Sequence, residues 1–139
     1  MNLLQQLRRE EGVKRSVYLD SLGYWTIGVG RLVDARLGGG LSDDEIEVLL
    51  ANDIARCTRE VLAALPWVAS LDEPRQAALI GMAFQMGTSG LLGFGNTLAA
   101  IREGRFDDAE ARMLQSKWAQ QTPARARRMA RQIATGEWQ

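Results

Sequence analysis

The sequence predicts an α+β fold, because a glycine-punctuated segment suited to short strands precedes a long region with helical periodicity. Between Val17 and Val33 the chain has short β-rich pieces, VYLD, YWTIGVG and RLV, which indicate a small antiparallel meander. After Ser42, apolar residues recur at helical spacing over most of the remaining sequence. The 139 residues suffice for one ordinary domain or for two small lobes around a shared core.

Composition and charge exclude several classes of protein. Apolar residues make up 46% and charged residues 24%, as in soluble globular proteins. Seventeen basic and seventeen acidic residues cancel, so we expect no nucleic-acid partner. The chain has no histidine and a single cysteine, which removes the common zinc-site spacings and Ser-His or Cys-His catalysis. We therefore expect no metal and no cofactor, and carboxylates as the acid–base groups.

The sequence shows no sign of a membrane segment. Leu3, Leu4 and Leu7 are too few apolar residues for the core of a signal peptide. A run of about 18 apolar residues, which a membrane-spanning helix requires, does not occur. We therefore expect a protein made in the cytoplasm without a signal peptide and without stable insertion into a membrane.

Caps and periodicity predict where the helices lie. A short first helix ends at about Glu11, with Gly12 as a left-handed cap. Ser42 and Glu45 form a capping-box pair at the start of a long helix. A second cap signal at Ser70 to Glu73 precedes a nearly all-apolar helix, RQAALIGMAFQMG, which we expect to be buried on most sides. Shorter helices are expected at about 96–103, 106–115 and 123–134.

Several conspicuous side chains are interpreted as packing residues. Cys57 lies within the apolar stripe of the long helix, so we expect a buried and inert thiol. Aromatic residues at irregular spacing are more often packed in a core than exposed as sugar-stacking platforms. We therefore predict packing roles for Trp25, Trp67, Trp118 and Trp138.

Two carboxylates and one hydroxyl lie near the sheet segment in different settings. Glu11 ends the first helix, where the negative end of the helix dipole disfavours a charged carboxylate and so suits a general acid. Asp20 ends the first strand just before a turn. Thr26 lies on the glycine-bearing face of the next strand, where its hydroxyl can hold a water near Asp20. A carboxylate pair with a held water is the arrangement of glycosidases.

The spacing of these residues, E-x8-D-x5-T within EGVKRSVYLDSLGYWTIGVG, resembles the phage lysozymes, or endolysins, of the T-even bacteriophage type. Further stretches resemble the same family in the same order, namely MNLL, FQMGTSGLLGF, SKWAQQTPARARR and TGEW. The resemblance covers nearly the whole chain, with a shortened segment at about 33–41.

The resemblance implies a two-lobed lysozyme-like fold with a cleft between the lobes. A small antiparallel-sheet lobe is joined by a long helix to a mostly helical lobe. The chain is then a single lysozyme domain, with a β-containing lobe at about 13–41 and a linking helix at about 42–64. The helical lobe comprises about 65–139 together with the N-terminal helix.

The resemblance also implies an activity. An endolysin of this family hydrolyses the β-1,4 bond between N-acetylmuramic acid and N-acetylglucosamine in peptidoglycan and lyses the cell. The hydroxyl at Thr26, which a direct nucleophile would not require, predicts inversion at the anomeric carbon. Glu11 would donate the proton, Asp20 would be the second carboxylate, and Thr26 would position the water. The implied substrate-binding residues are Leu32, Phe84 and Thr97. The implied partner is the glycan strand, bound by a monomer that reaches the wall after the host membrane is permeabilised.

The sequence departs from the family pattern at three positions. Arg31 stands where a histidine is usual, Leu22 replaces a glutamate at the cleft edge, and Arg112 replaces a substrate-binding asparagine. Because the aspartate partner of that histidine falls at Asp53, we predict an ion pair between Arg31 and Asp53.

Two other classes of function are considered beside hydrolysis. One is a non-catalytic peptidoglycan-binding or phage structural module that kept the fold. The other is a lytic transglycosylase, in which an internal sugar hydroxyl replaces water as the nucleophile. The first is disfavoured because all three catalytic residue types are present, and the second because Asp20 and Thr26 are suited to activating water.

Overall fold

The structure is a computed structural model that describes residues 2–37 and 40–139, in two compact units, Met1–Leu50 and Ala51–Gln139. It is mostly helical with a small antiparallel sheet, so the predicted α+β class is confirmed. The elements are α1 (Leu3–Glu11), β1 (Lys14–Leu19), β2 (Trp25–Gly28), β3 (Arg31–Leu32), α2 (Asp43–Ala64), a 3₁₀ helix (Pro66–Ser70), α3 (Glu73–Leu92), α4 (Gly95–Arg102), α5 (Phe106–Leu114), α6 (Lys117–Gln121) and α7 (Pro123–Thr135).

The sheet is the predicted meander, with antiparallel strands in the order β1, β2, β3. Thr26 in β2 lies opposite Tyr18 in β1 and opposite Leu32 in β3. Directly opposed residues in an antiparallel pair project from the same face of the sheet. Tyr18, Thr26 and Leu32 therefore form one row across that face.

The other face of the sheet borders an apolar cavity of about 640 Å³ beside the first turns of α2. Ile27 lines this cavity and is half-buried. Thr26, on the glycine-bearing face of the strand, is buried with 3% exposure. The cavity is lined by Val17, Ile27, Arg31, Val33, Leu41, Asp44, Glu45, Val48 and Leu49.

The helix α1 begins with a capping box formed by Asn2 and Gln5 and ends at Glu11, as predicted. Gly12, expected in the left-handed helical conformation, has φ 74° and ψ 173° instead. The backbone at Gly12 thus turns directly toward β1 through a conformation open mainly to glycine. The predicted cap position is confirmed, but the predicted cap geometry is wrong.

The helix α2 spans nearly the residues that the sequence predicts. The Ser42 hydroxyl accepts a hydrogen bond from the Glu45 backbone N–H at 3.2 Å and donates one to the Glu45 carboxylate at 3.0 Å. This pairing satisfies one of the free N–H groups at the helix start. Cys57 and Val61 are buried, which confirms the interpretation of Cys57 as a packed thiol.

The second unit holds a packed apolar core to which α3 contributes most. Leu79 and Met82 are almost fully buried, as the apolar sequence of this helix predicts. The N-cap is Asp72, which accepts a hydrogen bond from the Arg75 N–H at 3.0 Å, so the helix begins within the predicted cap signal at Ser70 to Glu73, with Asp72 rather than Ser70 as the cap. At Gly87 the backbone leaves helical geometry, with φ 78° and ψ 160°, and α3 is kinked there.

The remaining helices complete this core. Trp118, in the unpredicted helix α6, is buried, donates a hydrogen bond to Gln85 at 3.0 Å and packs edge-on against Phe94. Trp67 also packs against the core. Trp138 is 61% exposed, so its predicted packing role is wrong.

Among the described residues, no single helix combines the length and apolarity that crossing a membrane requires. The helices α3 and α4 reach that limit only when taken together, and they meet at a bend of 103°.

Candidate functional site

Asp20 lies in the tight turn that joins β1 to β2. Its Oδ1 atom accepts hydrogen bonds from the backbone N–H groups of Leu22 and Tyr24, both at 2.9 Å. Its own N–H donates to the Tyr24 carbonyl at 2.9 Å, and Gly23, with φ 86°, closes the turn. Such side-chain bonds to nearby backbone are the reason that aspartate favours turns. They fix the orientation of the carboxylate.

The Thr26 side chain is hydrogen-bonded to the Tyr24 carbonyl group, which also accepts the Asp20 N–H. Its hydroxyl donates a hydrogen bond to the Tyr24 carbonyl oxygen at 3.1 Å. Since a hydroxyl has one hydrogen and two lone pairs, this bond leaves the lone pairs of Oγ1 to accept a hydrogen bond. Tyr24 thus links the Asp20 backbone to the Thr26 side chain, as the sequence prediction of their proximity requires.

Glu11 lies against the turn between β2 and β3. A methyl group on Gly30 would be 2.6 Å from Oε2 and 2.9 Å from Cδ of Glu11. Gly30 also has φ 61°, a conformation that residues with a side chain rarely adopt. Glu11 itself is exposed, and its carboxylate accepts no hydrogen bond from any residue that the structure describes. The Glu11 carboxyl group is therefore accessible to a ligand.

The first unit contains four of the six predicted site residues. Leu32 is 46% exposed and lies directly across the strand pair from Thr26. Tyr18, on the other side of Thr26, is a neighbour that the sequence analysis missed. Strand alternation offered the signal, because Tyr18 and Asp20 have the same parity along the chain and so share one face.

The other two predicted residues belong to the second unit. Phe84 is on α3 with 45% exposure, and Thr97 is on α4 and buried. Thr97 lines a cavity of about 550 Å³ together with Asn96 and Arg112. The Arg112 guanidinium contacts the Asp108 carboxylate at 3.1 Å. Arg112, which replaces an asparagine of the family pattern, therefore brings a cation to a cavity that Thr97 also lines.

The predicted pair of Arg31 and Asp53 is corrected by the structure. Arg31 forms an ion pair with Glu45 at 2.9 Å, which connects β3 to the start of α2. Asp53 is bonded instead to Arg56, one turn further along the same helix, at 3.4 Å. Arg31 and, to a smaller extent, Ser42 hold the pKa of Glu45 below its usual value by hydrogen bonding to the carboxylate. Asp53 is thus paired with Arg56 of its own helix instead of with Arg31.

A further carboxylate near the sheet is strongly paired. Hydrogen bonds from the Arg36 side chain and backbone lower the pKa of Asp34 to about 2. Asp34 is therefore held as an anion by Arg36 and is no candidate for proton donation. Within residues 2–37 and 40–139, no group of three histidine, cysteine, aspartate or glutamate side chains is placed to hold a metal ion.

The chain is similar in sequence to known proteins over most of its length. Residues 8–132 match the family model described as phage lysozyme. The chain is 32% identical to the pre-baseplate central spike protein Gp5 of Enterobacteria phage T4, over 98% of this chain and 28% of that protein. It is 29% identical to the probable T4-type lysozyme 1 of Dictyostelium discoideum, over 97% of this chain and 95% of that protein.

A third relative is the peptidoglycan hydrolase gp36 of Pseudomonas phage phiKMV, which is 28% identical over 96% of this chain and 15% of that protein. This chain thus spans only a small part of Gp5 and of gp36. The alignment with Gp5 extends over 161 positions, more than the 139 residues of this chain, whereas the alignment with gp36 needs only 136. Gp5 therefore has insertions relative to this chain.

Proposed function

This chain belongs to the phage lysozyme family, and from that premise we propose that it cleaves the β-1,4 bond between N-acetylmuramic acid and N-acetylglucosamine in peptidoglycan. Membership of the family makes it a lysozyme-type glycoside hydrolase that degrades peptidoglycan. The observation that supports the specific reaction is the contrast between Glu11, whose carboxyl group is exposed, and Asp20, whose carboxyl group is fixed in a turn that Tyr24 joins to the buried Thr26 hydroxyl.

Glu11 is the proposed general acid. Its carboxylic acid protonates the glycosidic oxygen as the bond from that oxygen to the anomeric carbon breaks. The leaving sugar departs as an alcohol, and Glu11 is left as a carboxylate. Because no described residue donates a hydrogen bond to the Glu11 carboxylate, the group is available to the substrate oxygen.

Asp20 and Thr26 are the proposed partners of the attacking water. The second oxygen of Asp20 and the lone pairs of Thr26 Oγ1 can accept the two hydrogens of one water, because the Thr26 hydrogen is already given to Tyr24. A water held in this way directs its own lone pair at the anomeric carbon. As the new bond forms, Asp20 takes the proton from the water.

This arrangement favours inversion of the anomeric carbon. An inverting enzyme leaves room for a water between its carboxylates and the sugar, with a carboxylate separation of roughly 6.5 to 9.5 Å. A direct nucleophile at Asp20 would have no need of the Thr26 hydroxyl. We therefore expect the α-anomer as the first product, and early appearance of the β-anomer in proton NMR would contradict inversion.

Three residues are proposed to bind the substrate. Leu32 beside Thr26 would contact the sugar chain, and Phe84 and Thr97 would contact the glycan or its peptide. We propose that the chain acts as a monomer on the glycan strands of the cell wall. Separate alanine variants at these three positions should raise KM for soluble peptidoglycan fragments more than they lower kcat.

Product analysis tests the proposed reaction directly. Purified peptidoglycan is incubated with the protein and with a Glu11→Gln variant, and the soluble products are identified by mass spectrometry. Reducing-end muramic acid that depends on Glu11 supports hydrolysis. Anhydromuramic acid would identify a lytic transglycosylase, and binding to peptidoglycan without release of products would indicate a non-catalytic module.

A further inference from the structure

We propose that Gly30 is a positioning residue for Glu11, and that its missing side chain is what lets the acid occupy its working place. The inference rests on the proposed role of Glu11 as proton donor. It adds a residue that acts on the reaction only through Glu11, because Gly30 offers no side chain to substrate or water.

A side chain on Gly30 would come unusually close to the Glu11 side chain. The L-methyl position of Gly30 is 2.6 Å from Oε2, 2.9 Å from Cδ and 3.0 Å from Cγ of Glu11. Carbon atoms in contact prefer separations of about 3.5 to 4.0 Å, so a methyl group there would overlap the whole end of the Glu11 side chain. The carboxylate would have to move away from the backbone of the β2–β3 turn.

Two independent constraints therefore favour glycine at this position. The first is the backbone conformation, since φ is 61°. The second is the volume taken by the Glu11 carboxylate. The constraints can be separated, because other glycines of this chain have only the first. Gly104, in the second unit, has φ 77° and nothing within 4 Å of its methyl position.

Displacement of the acid should affect the chemical step rather than substrate binding. Proton transfer requires donor and acceptor atoms at hydrogen-bonding distance, and a shift of about 1 Å in a catalytic group can cost on the order of 10²-fold in rate. We therefore expect Gly30→Ala to lower kcat by about 10- to 100-fold with KM within about twofold of wild type. Gly104→Ala, which has a similar backbone strain, should leave kcat unchanged.

The decisive experiment is a double-mutant cycle with Glu11→Gln. Rates on soluble peptidoglycan fragments are measured for wild type, Gly30→Ala, Glu11→Gln and the double variant, with mass spectrometry for the slow ones. If Gly30 acts through Glu11, Gly30→Ala causes no further loss once Glu11 is glutamine. An equal loss in both backgrounds would overturn the proposal, as would wild-type kcat in Gly30→Ala.

The two proposals fail in different ways. An active Glu11→Gln variant would remove Glu11 from the reaction and so refute the proposed function itself. An inactive Glu11→Gln variant with a fully active Gly30→Ala variant would refute only the role of Gly30. If Gly30→Ala does not fold, the wild-type protein still provides a test. A nuclear Overhauser effect between the Glu11 Hγ and Gly30 Hα protons is expected, and its absence would overturn the proposed contact.

Discussion

The two units of the molecule differ in how much of each is buried. In the described part of the first unit, residues 2–37 and 40–50, Thr26 is the only buried residue, and an apolar cavity lies beside the sheet. The second unit has a continuous core that includes Leu79, Met82, Ile101 and Met113. The proposed catalytic residues therefore lie in the unit with little buried apolar surface, and most of the apolar burial lies in the other.

This difference shows what fixes the positions of the catalytic side chains in the first unit. Asp20 is oriented by backbone donors at a glycine-containing turn, and Glu11 is placed by contact with a glycine. Neither depends on close packing of apolar side chains. We therefore expect substitutions at the site to change activity with little effect on stability, and substitutions in the second unit to do the reverse.

The largest expected effect is the loss of activity in Glu11→Gln. General acid catalysis contributes typically 10² to 10⁴ in rate, and the N–H groups of an amide are not acidic enough to protonate the leaving oxygen. Because Glu11 is exposed and unbonded within the described residues, thermal unfolding should be unchanged. Lysis of permeabilised cells and calorimetry measure the two quantities. Retention of more than about a tenth of wild-type activity would contradict the assignment.

The second prediction concerns a substitution in the core of the second unit, which should lower the stability of the protein. Leu79 is fully buried, so Leu79→Ala should lower the free energy of unfolding by about 2 to 5 kcal/mol through lost burial and a residual cavity. Leu37→Ala, in the first unit at 67% exposure, is the matched control and should change it by less than about 0.5 kcal/mol. Urea denaturation gives both values. Similar losses in the two variants would refute the proposed division between the units.

The third prediction concerns a charged anchor in the second unit. Arg75 donates hydrogen bonds to the carbonyls of Ile133 at 2.7 Å and Ala134 at 3.0 Å, and its guanidinium stacks 3.6 Å from the centre of the Phe106 ring. Arg75→Met should lower the free energy of unfolding by about 2 to 3 kcal/mol, because two carbonyls lose a charged donor.

Arg75→Lys tests whether the geometry or the charge of Arg75 matters. A lysine keeps the charge but cannot reproduce the planar fork of the guanidinium. We expect most of the loss to persist in the lysine variant, measured by the same denaturation. Full recovery of stability would show that the positive charge alone explains the effect.

Much of this architecture could be predicted from the sequence because it depends on local signals. The meander, the extent of α2 and the burial of α3 follow from glycine placement and apolar periodicity. The kink at Gly87 could not be predicted, because apolar spacing does not report φ. The exposure of Trp138 could not be predicted, because it depends on which residues pack against the side chain, and the sequence alone does not show this.

The candidate site divides in the same way. Glu11, Asp20 and Thr26 were identified from spacing and a family resemblance, and the turn that joins Asp20 to Thr26 agrees with their predicted proximity. The contact of Glu11 with Gly30 depends on how the β2–β3 turn meets the end of α1. Such contacts between distant segments leave no periodic signal in the sequence.

The smallest expected effect is in the ion pair of Arg31 with Glu45, where the sequence analysis chose the wrong partner. Arg31 lowers the pKa of Glu45, so the pair contributes stability above the unfolded pKa of about 4.3 and loses it as pH falls through the lower folded value. The arginine stays protonated at all working pH values. The contribution should therefore be the same at pH 6 and at pH 9 and should weaken toward pH 2. Because the Arg31 side chain is 62% exposed, Arg31→Gln should lower Tm by no more than a few degrees, and less at high salt.

Arg8→Gln is the control, since Arg8 forms no ion pair with any residue that the structure describes. An equal shift in the two variants, or one that persists at pH 2, would show that the charge of Glu45 is not what Arg31 stabilises. A loss in Asp53→Asn that disappears in an Arg31→Gln background would restore the partner first predicted from the sequence.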